Sequence, residues 1–194
     1  SEERKEELRI LDEEASLCQR IAEELLMYAR TPALSPIPID MAELLRDASE
    51  RAEGIHSRRP STPGAPPVIV DADSAEMTVD PLRIRQVVVN LVANAREAAA
   101  DASPVIVQGR LIENGYRIEV LDRGAGIPLD VLEHIFEPFF TTKRNGTGLG
   151  LAVCYGLTTA HGGRIHAEPR QGGGMRFVVD LPRLAVTSTP KDAA

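Results

Sequence analysis

Asn90-Leu-Val-Ala-Asn94, Asp122-Arg-Gly-Ala-Gly126 and Gly146-Thr-Gly-Leu-Gly-Leu151 follow one another, with Phe136-Glu-Pro-Phe-Phe-Thr-Thr-Lys143 between the last two. The surrounding residues say what carries each segment. Asp80-Pro81 is a helix start: a side-chain cap, then proline where its missing N–H costs nothing. That helix is expected to run to about Ala100. Asn90 and Asn94 share one of its faces, with Glu97 three residues further along. Val87, Leu91 and Ala98 are read as facing the core. The apolar run Tyr116–Leu121 is a strand that delivers Asp122 into a glycine turn. Gly146–Leu151 opens an Ala- and Leu-rich helix over Leu149–Ala160, which His161-Gly-Gly163 ends.

Each segment has a functional and an ordinary reading. Two amides among apolar residues need partners, because burying an unpaired amide is costly. Magnesium with a triphosphate is one such partner, since the ion takes oxygen ligands. A neighbouring loop is the other. Asp122 can accept a hydrogen bond from an exocyclic amine such as adenine's, and Gly124 and Gly126 let the backbone approach a flat ring. Asp-x-Gly is equally a common turn. The free amides of the glycine segment and the helix N-terminus can bind phosphate, and Lys143 and Arg144 can neutralise it. Both cations could also be solvated loop residues. No dinucleotide fingerprint and no G-x-x-x-x-G-K-[ST] loop is present. The three segments in this order are hard to explain as packing alone.

Outward from these segments, the second half of the chain reads as two hairpins. Val105–Ile112 and Tyr116–Leu121 flank Glu113-Asn-Gly115; Gly163–Glu168 and Met175–Leu181 flank Gly172-Gly-Gly174. Val68–Asp71 and Glu76–Val79 are short strands, and Asp40 caps a helix over about 41–54 with Leu44, Leu45 and Ala48 on its face. Residues 31–38 are a proline-rich linker and 58–67 a loop. Residues 2–30 contain neither Gly nor Pro and read as one helix. In it Leu11, Ala15, Cys18, Ala22, Leu25 and Ala29 alternate by four and three, a heptad seam that wants a partner helix or, failing that, the chain's own domain. The expected fold is an α/β sandwich, a mixed sheet packed on helices, preceded by a long helix.

Composition narrows the function classes. A net charge of -7 argues against a nucleic-acid surface, which needs a basic stripe. No apolar run approaches the roughly 20 residues of a membrane span. Cys18 and Cys154 lack metal-ligand spacing and fit a reducing compartment as small buried hydrophobes. The charged start Ser1-Glu-Glu-Arg-Lys-Glu-Glu shows no signal peptide and reads as a cut within a helix of a longer protein.

The order Asn90-x-x-x-Asn94, Asp122-x-Gly-x-Gly126, Phe136…Phe139-Phe140, Gly146-x-Gly-x-Gly150 resembles the N, G1, F and G2 boxes of bacterial sensor histidine kinases. Those boxes lie in a catalytic ATP-binding domain of the superfamily shared with gyrase, MutL and the large heat-shock chaperone. The resemblance spans roughly residues 36–183 and implies the two-layer Bergerat-type ATP-binding fold for residues 39–183. It likens residues 1–30 to the second helix of a dimerisation hairpin and leaves 184–194 as a loose tail. It implies ATP and Mg2+ as cofactors. Asn94 would coordinate the ion, and Asn90 would contact phosphate or the ion. Asp122 would bind the adenine amine, with Gly126 beside the base. Residues 137–147 would be a mobile lid. The implied catalytic residues are Asn90, Asn94 and Lys143. The implied cofactor-binding set adds Glu97, Asp122, Gly124, Gly126, Ile127, Arg144, Gly146, Thr147, Gly148, Leu149 and Gly150. Glu97 stands where many relatives have a lysine.

Hydrolytic members of that superfamily carry Glu where this chain has Asn90, and a neutral amide is no comparable base for activating water. The site therefore reads as one that presents the γ-phosphate to another nucleophile, a cytoplasmic protein histidine kinase. Its expected partners are a response regulator and a second subunit joined through the hairpin helices. None of His56, His134, His161 and His166 sits in an acceptor-like segment, so the acceptor is expected on a helix upstream of residue 1. A nucleotide-binding module without catalysis, and an ATPase that closes on a partner, are the competing readings.

Overall fold

The computed structural model describes residues 4, 6–9, 15, 33–57, 66–99, 103–143 and 146–183. Residues 4, 6–9 and 15 are helical. The seam positions Leu11, Cys18, Ala22, Leu25 and Ala29, the loop cation Arg144, the side chain of His56 and the tail 184–194 lie outside the described residues.

The elements run β1 (Ile37–Asp40), α1 (Met41–Ser57), β2 (Val68–Ala72), β3 (Glu76–Val79), α2 (Pro81–Ala98), β4 (Val105–Ile112), β5 (Gly115–Leu121), α3 (Gly150–Ala160), β6 (Arg164–Pro169) and β7 (Met175–Pro182). Five strands form one sheet in the order β2-β4-β5-β7-β6. β2 and β4 are parallel and every other neighbour is antiparallel, so the sheet is mixed. Ile37 and Pro38, expected in the linker, begin β1 instead, which among the described residues pairs only with β3. Each strand of a two-stranded ribbon has a free edge, and there a proline forfeits no ladder hydrogen bond.

Alternation along the strands makes the sheet two-faced. Val105 and Val107, Tyr116, Ile118 and Val120, and Phe177, Val179 and Leu181 are buried on one face. The other face carries charge. Arg117 and Asp180 stand opposite in the register, and the guanidinium donates to both carboxylate oxygens at 2.6 and 2.9 Å. Arg176 meets Glu168 at 2.5 Å. A face laced with such pairs is a solvent face, so the fold has two layers rather than three.

α2 is the central helix. It packs on α1, α3, β4 and β5 through buried Ile84, Val87, Val88, Leu91, Val92 and Ala95. Each of the large side chains is worth about 1.5–3 kcal/mol relative to exposure, so the core sets the helix's rotation. Ala98, expected among the core residues, is exposed. It sits in the last turn, past the edge of the packed stripe, where its carbonyl meets the turn at Gly124.

Candidate nucleotide-binding site

Rotating the apolar stripe of α2 into the core leaves Asn90 and Asn94 half-buried at its margin. Asn90 Nδ2 donates to the Gly150 carbonyl at 3.3 Å, which ties the amide to the first residue of α3. Asn94 Oδ1 accepts from Lys143 Nζ at 2.8 Å, and the same ammonium is 2.6 Å from Glu97 Oε2. Beneath them Cys154 is fully buried and its thiol points at the Val87 carbonyl at 3.7 Å. Burial pushes that thiol up to about 12, so it packs as a small apolar group.

Asp122 is 2% exposed, an unusual place for a carboxylate without a purpose. Its Oδ1 accepts from the Gly124 N–H at 2.8 Å and from the Met175 N–H at 3.2 Å. Both of these bonds fall on Oδ1 and neither on Oδ2. The close turn demands its glycines. A Cβ at Gly124 would come within 2.4 Å of the Ala98 carbonyl oxygen, and Gly126 has φ +79°. Three residues from outside the expected set complete this end. Arg170 Nη1 donates to the Asp122 carbonyl at 2.6 Å, Met175 supplies the second amide, and a Cβ at Gly174 would strike that same carbonyl at 2.2 Å. The Gly172-Gly-Gly174 run was the available sign, but a hairpin turn explained it fully. A cavity of about 570 Å³ opens beside this turn, lined by Gly126, Ile127, Pro128, Arg170 and Gly174 among others.

The glycine segment meets the Phe segment. Gly148 adopts φ +68°, and a Cβ there would lie 2.4 Å from the Phe139 carbonyl carbon. The Phe139 N–H donates to the Gly148 carbonyl at 3.0 Å. Phe139 is itself held at φ +67° and is 62% exposed. A Cβ at Gly146 would lie 2.4 Å from Thr141 Oγ1, which also accepts from the Lys143 N–H at 3.1 Å. The Leu149 N–H donates to Thr147 Oγ1 at 3.3 Å, and α3 then begins with no side-chain cap. Amides at a helix start that no side chain caps are the kind that can bind an anion.

The structure thus brings Asn90 into contact with Gly150, and Asn94 and Glu97 into contact with Lys143. It places Gly124 against Ala98 at the C-terminal end of α2, with Asp122 and Gly126 in the same turn, and Thr147, Gly148 and Leu149 just before α3. Ile127 packs against the core. Of the histidines, His161 is buried and hydrogen-bonded through both ring nitrogens. His134 is on the surface, paired with Glu137 at 2.8 Å, and that hydrogen bond raises its pKa. His166 Nδ1 is buried without a partner.

Residues 79–185, more than half of the chain, match the family model for histidine kinase-, DNA gyrase B- and HSP90-like ATPases. The chain belongs to this ATPase family. Within it, sensor histidine kinase ZraS of Escherichia coli (strain K12) is 34% identical over 191 residues, which are 94% of this chain and 38% of ZraS. The catalytic domain of histidine kinase ThkA superposes with a TM-score of 0.67 at 31% identity, covering 77% of this chain and 96% of that domain. ThkA in complex with the response regulator protein TrrA gives 0.73 at 29% identity over 90% of this chain and 49% of that one. Full-length ShkA in complex with AMPPNP gives 0.77 at 27% identity, covering 90% of this chain and 37% of ShkA. The chain therefore spans well under half of ZraS, and its mixed sheet on helices is the histidine kinase ATP-binding domain.

Among the described residues no group of three or more His, Cys, Asp or Glu could hold a metal ion. A cation here would rest on amide oxygens, phosphate oxygens and water, a donor set that suits a hard ion.

Proposed function

We propose that this chain is the ATP-binding part of a two-component sensor kinase, which transfers the γ-phosphoryl group of Mg-ATP to a histidine on a partner helix. The reading rests on one observation above all. Asn90 of α2 is tied to the uncapped start of α3, and Asn94, one turn along the same helix, holds Lys143, which offers an anion at that start two amides and a cation on the neighbouring face.

The assignment of roles follows. Asp122 Oδ2 receives the adenine amine, and Gly124 and Gly126 let the backbone lie against the ring. The amides that open α3 hold phosphate oxygens. Asn94, with Asn90, offers amide oxygens to Mg2+, whose bound charge offsets that of the triphosphate. Lys143 faces the γ-phosphate from the lid. Arg144 adds a second cation on the same loop. The imidazole nitrogen then bonds to phosphorus as the bond from phosphorus to the β,γ-bridging oxygen breaks, and ADP leaves. Such a transfer needs positioning and charge neutralisation more than acid–base help. Asn90 supplies no carboxylate to polarise water, which favours transfer over hydrolysis.

Residues 1–30 serve as a hairpin helix that meets a second subunit, with residues 39–183 as the catalytic body. The complex of ThkA with TrrA supports a response regulator as the onward acceptor. No described helix is long and apolar enough to cross a membrane.

The test is to give this protein labelled Mg-ATP with and without a protein bearing the acceptor helix. Acid-labile phosphate should appear on the added helix, with slow hydrolysis otherwise. Rapid turnover without transfer would favour an ATPase that closes on a partner, and nucleotide binding without either would favour a non-catalytic module.

A further inference from the structure

Lys143 and Glu97 are 46 residues apart in sequence yet meet at 2.6 Å, and Asn94 Oδ1 takes the same ammonium at 2.8 Å. We propose that Glu97 is the positioning residue for Lys143, a latch that holds the lid against α2 and hands the ammonium on to the γ-phosphate when nucleotide binds.

The argument starts from what an ammonium can do. Lys143 Nζ has three donors, of which Glu97 and Asn94 take two. The third is left for a further acceptor. The amide oxygen of Asn94 is also the donor the proposed function needs for Mg2+, and one oxygen facing both cations would bring like charges together. When the ion arrives, Lys143 therefore gives up Asn94. Its attachment to Glu97 keeps it at the site, where a phosphate oxygen replaces the amide. Glu97 does not itself suit phosphate: two anions without an intervening cation repel. Its place on the Asn90–Asn94 face makes sense only with the lysine between.

The pair is weak enough to switch. Lys143 and Glu97 side chains are 42% and 51% exposed, and ion pairs at such exposure are worth little against water. A phosphate oxygen takes the donor that Asn94 releases, and the pair with Glu97 adjusts to it, without any buried network having to break. Anchorage is also local. Thr141 Oγ1 accepts from the Lys143 N–H at 3.1 Å, so the backbone under the lysine is braced and the side chain moves on a fixed base.

This inference rests on the proposed function for the hand-off, whereas the latch itself is measurable without nucleotide. Glu97→Gln and Glu97→Asp are made in the native chain and in a Lys143→Met background. Chymotryptic cleavage after Phe139 or Phe140, read by mass spectrometry on the free protein, reports the lid. Glu97→Gln should speed this cleavage about two- to five-fold, the range of an exposed pair. Glu97→Asp, which keeps the charge, should restore part of the protection. In the Lys143→Met background neither change should matter. Equal cleavage in Glu97→Gln and the native chain, or an equal increase in both backgrounds, would overturn the latch. Calorimetry then compares a non-hydrolysable Mg-ATP analogue with Mg-ADP. Glu97→Gln should lower the preference for the analogue by a similar factor only where Lys143 is present. An unchanged preference would overturn the hand-off. Failure of the native chain to bind either nucleotide would sink the proposed function and the hand-off with it, leaving the latch to be decided by proteolysis.

Discussion

His161, at the C-terminal end of α3, accepts a hydrogen bond through Nε2 from the backbone N–H of Asp80, the cap of α2, at 3.1 Å. Its Nδ1 faces the Leu157 carbonyl at 2.8 Å, so the ring carries its proton on Nδ1. One buried imidazole thus joins the end of one site helix to the start of the other. Together with the Asn90–Gly150 contact it sets α2 and α3 at both ends of their shared interface. His161→Ala leaves the Asp80 N–H buried and unpaired, which costs about 1–3 kcal/mol. The urea midpoint should fall accordingly. A shift within the roughly 0.5 kcal/mol typical of surface changes would show the contact to be idle.

Asp80 serves the same junction. Burial presses its carboxyl upward, but the amides of Ser35, Arg83 and Leu82 outweigh that and hold its pKa below the ordinary value. A depressed folded pKa means that its stabilisation is present above the unfolded pKa near 4 and is lost as pH falls through the folded one. Asp80→Ala should cost about 1 kcal/mol, and up to about 2, at neutral pH. Denaturation of both proteins from pH 7 to pH 2 should show the gap closing below about pH 4. A gap that persists at the acid end would place the effect outside the carboxylate.

Cys154 should be chemically silent in the native protein. It is buried between α3 and α2, and its thiol is pushed up to about 12. In a Cys18→Ser background, a disulfide reagent should label nothing until denaturant is added. Labelling of the folded chain within minutes would mean that α3 opens away from α2.

Asp122→Asn keeps an oxygen for the two amides that Oδ1 serves and replaces the other oxygen with a donor. The variant should fold and should bind ATP more weakly than the native chain by about 1–3 kcal/mol, with GTP less affected. Titration calorimetry with both nucleotides measures this directly. Equal ATP affinity would remove Asp122 from the base pocket.

Asn94→Ala removes the oxygen that Lys143 now holds and that the metal is proposed to take. Nucleotide should still bind weakly, while the tightening produced by magnesium should vanish. If magnesium tightens the variant as much as the native chain, Asn94 is a helix-face amide that only receives Lys143.

Local chemistry wrote much of the fold into the chain. Asp40 and Asp80 cap their helices as their side chains dictate, and the two glycine-marked turns close antiparallel pairs. These features depend on neighbours a few residues away, so they are legible in one dimension. The three segments at 90–94, 122–126 and 146–151 were legible too, because a polar or glycine residue in an apolar setting asks for a reason. What they touch was not. Whether β1 ends a linker or starts a ribbon depended on β3, some 40 residues on, offering a free edge. Met175, Gly174 and Arg170 joined the Asp122 end because β7 lies beside β5, a pairing that the strand sequences do not encode. His161 was read as a helix-end residue, and only the packing of α3 on α2 turned it into the acceptor for Asp80. Glu97 stands where many relatives have a lysine, and only the folded chain brings Lys143, 46 residues on, against it. Composition and spacing specify which groups need partners; the partner is chosen by the burial of the apolar stripes, which rotates each helix as a rigid unit and carries its polar residues to wherever that rotation leaves them.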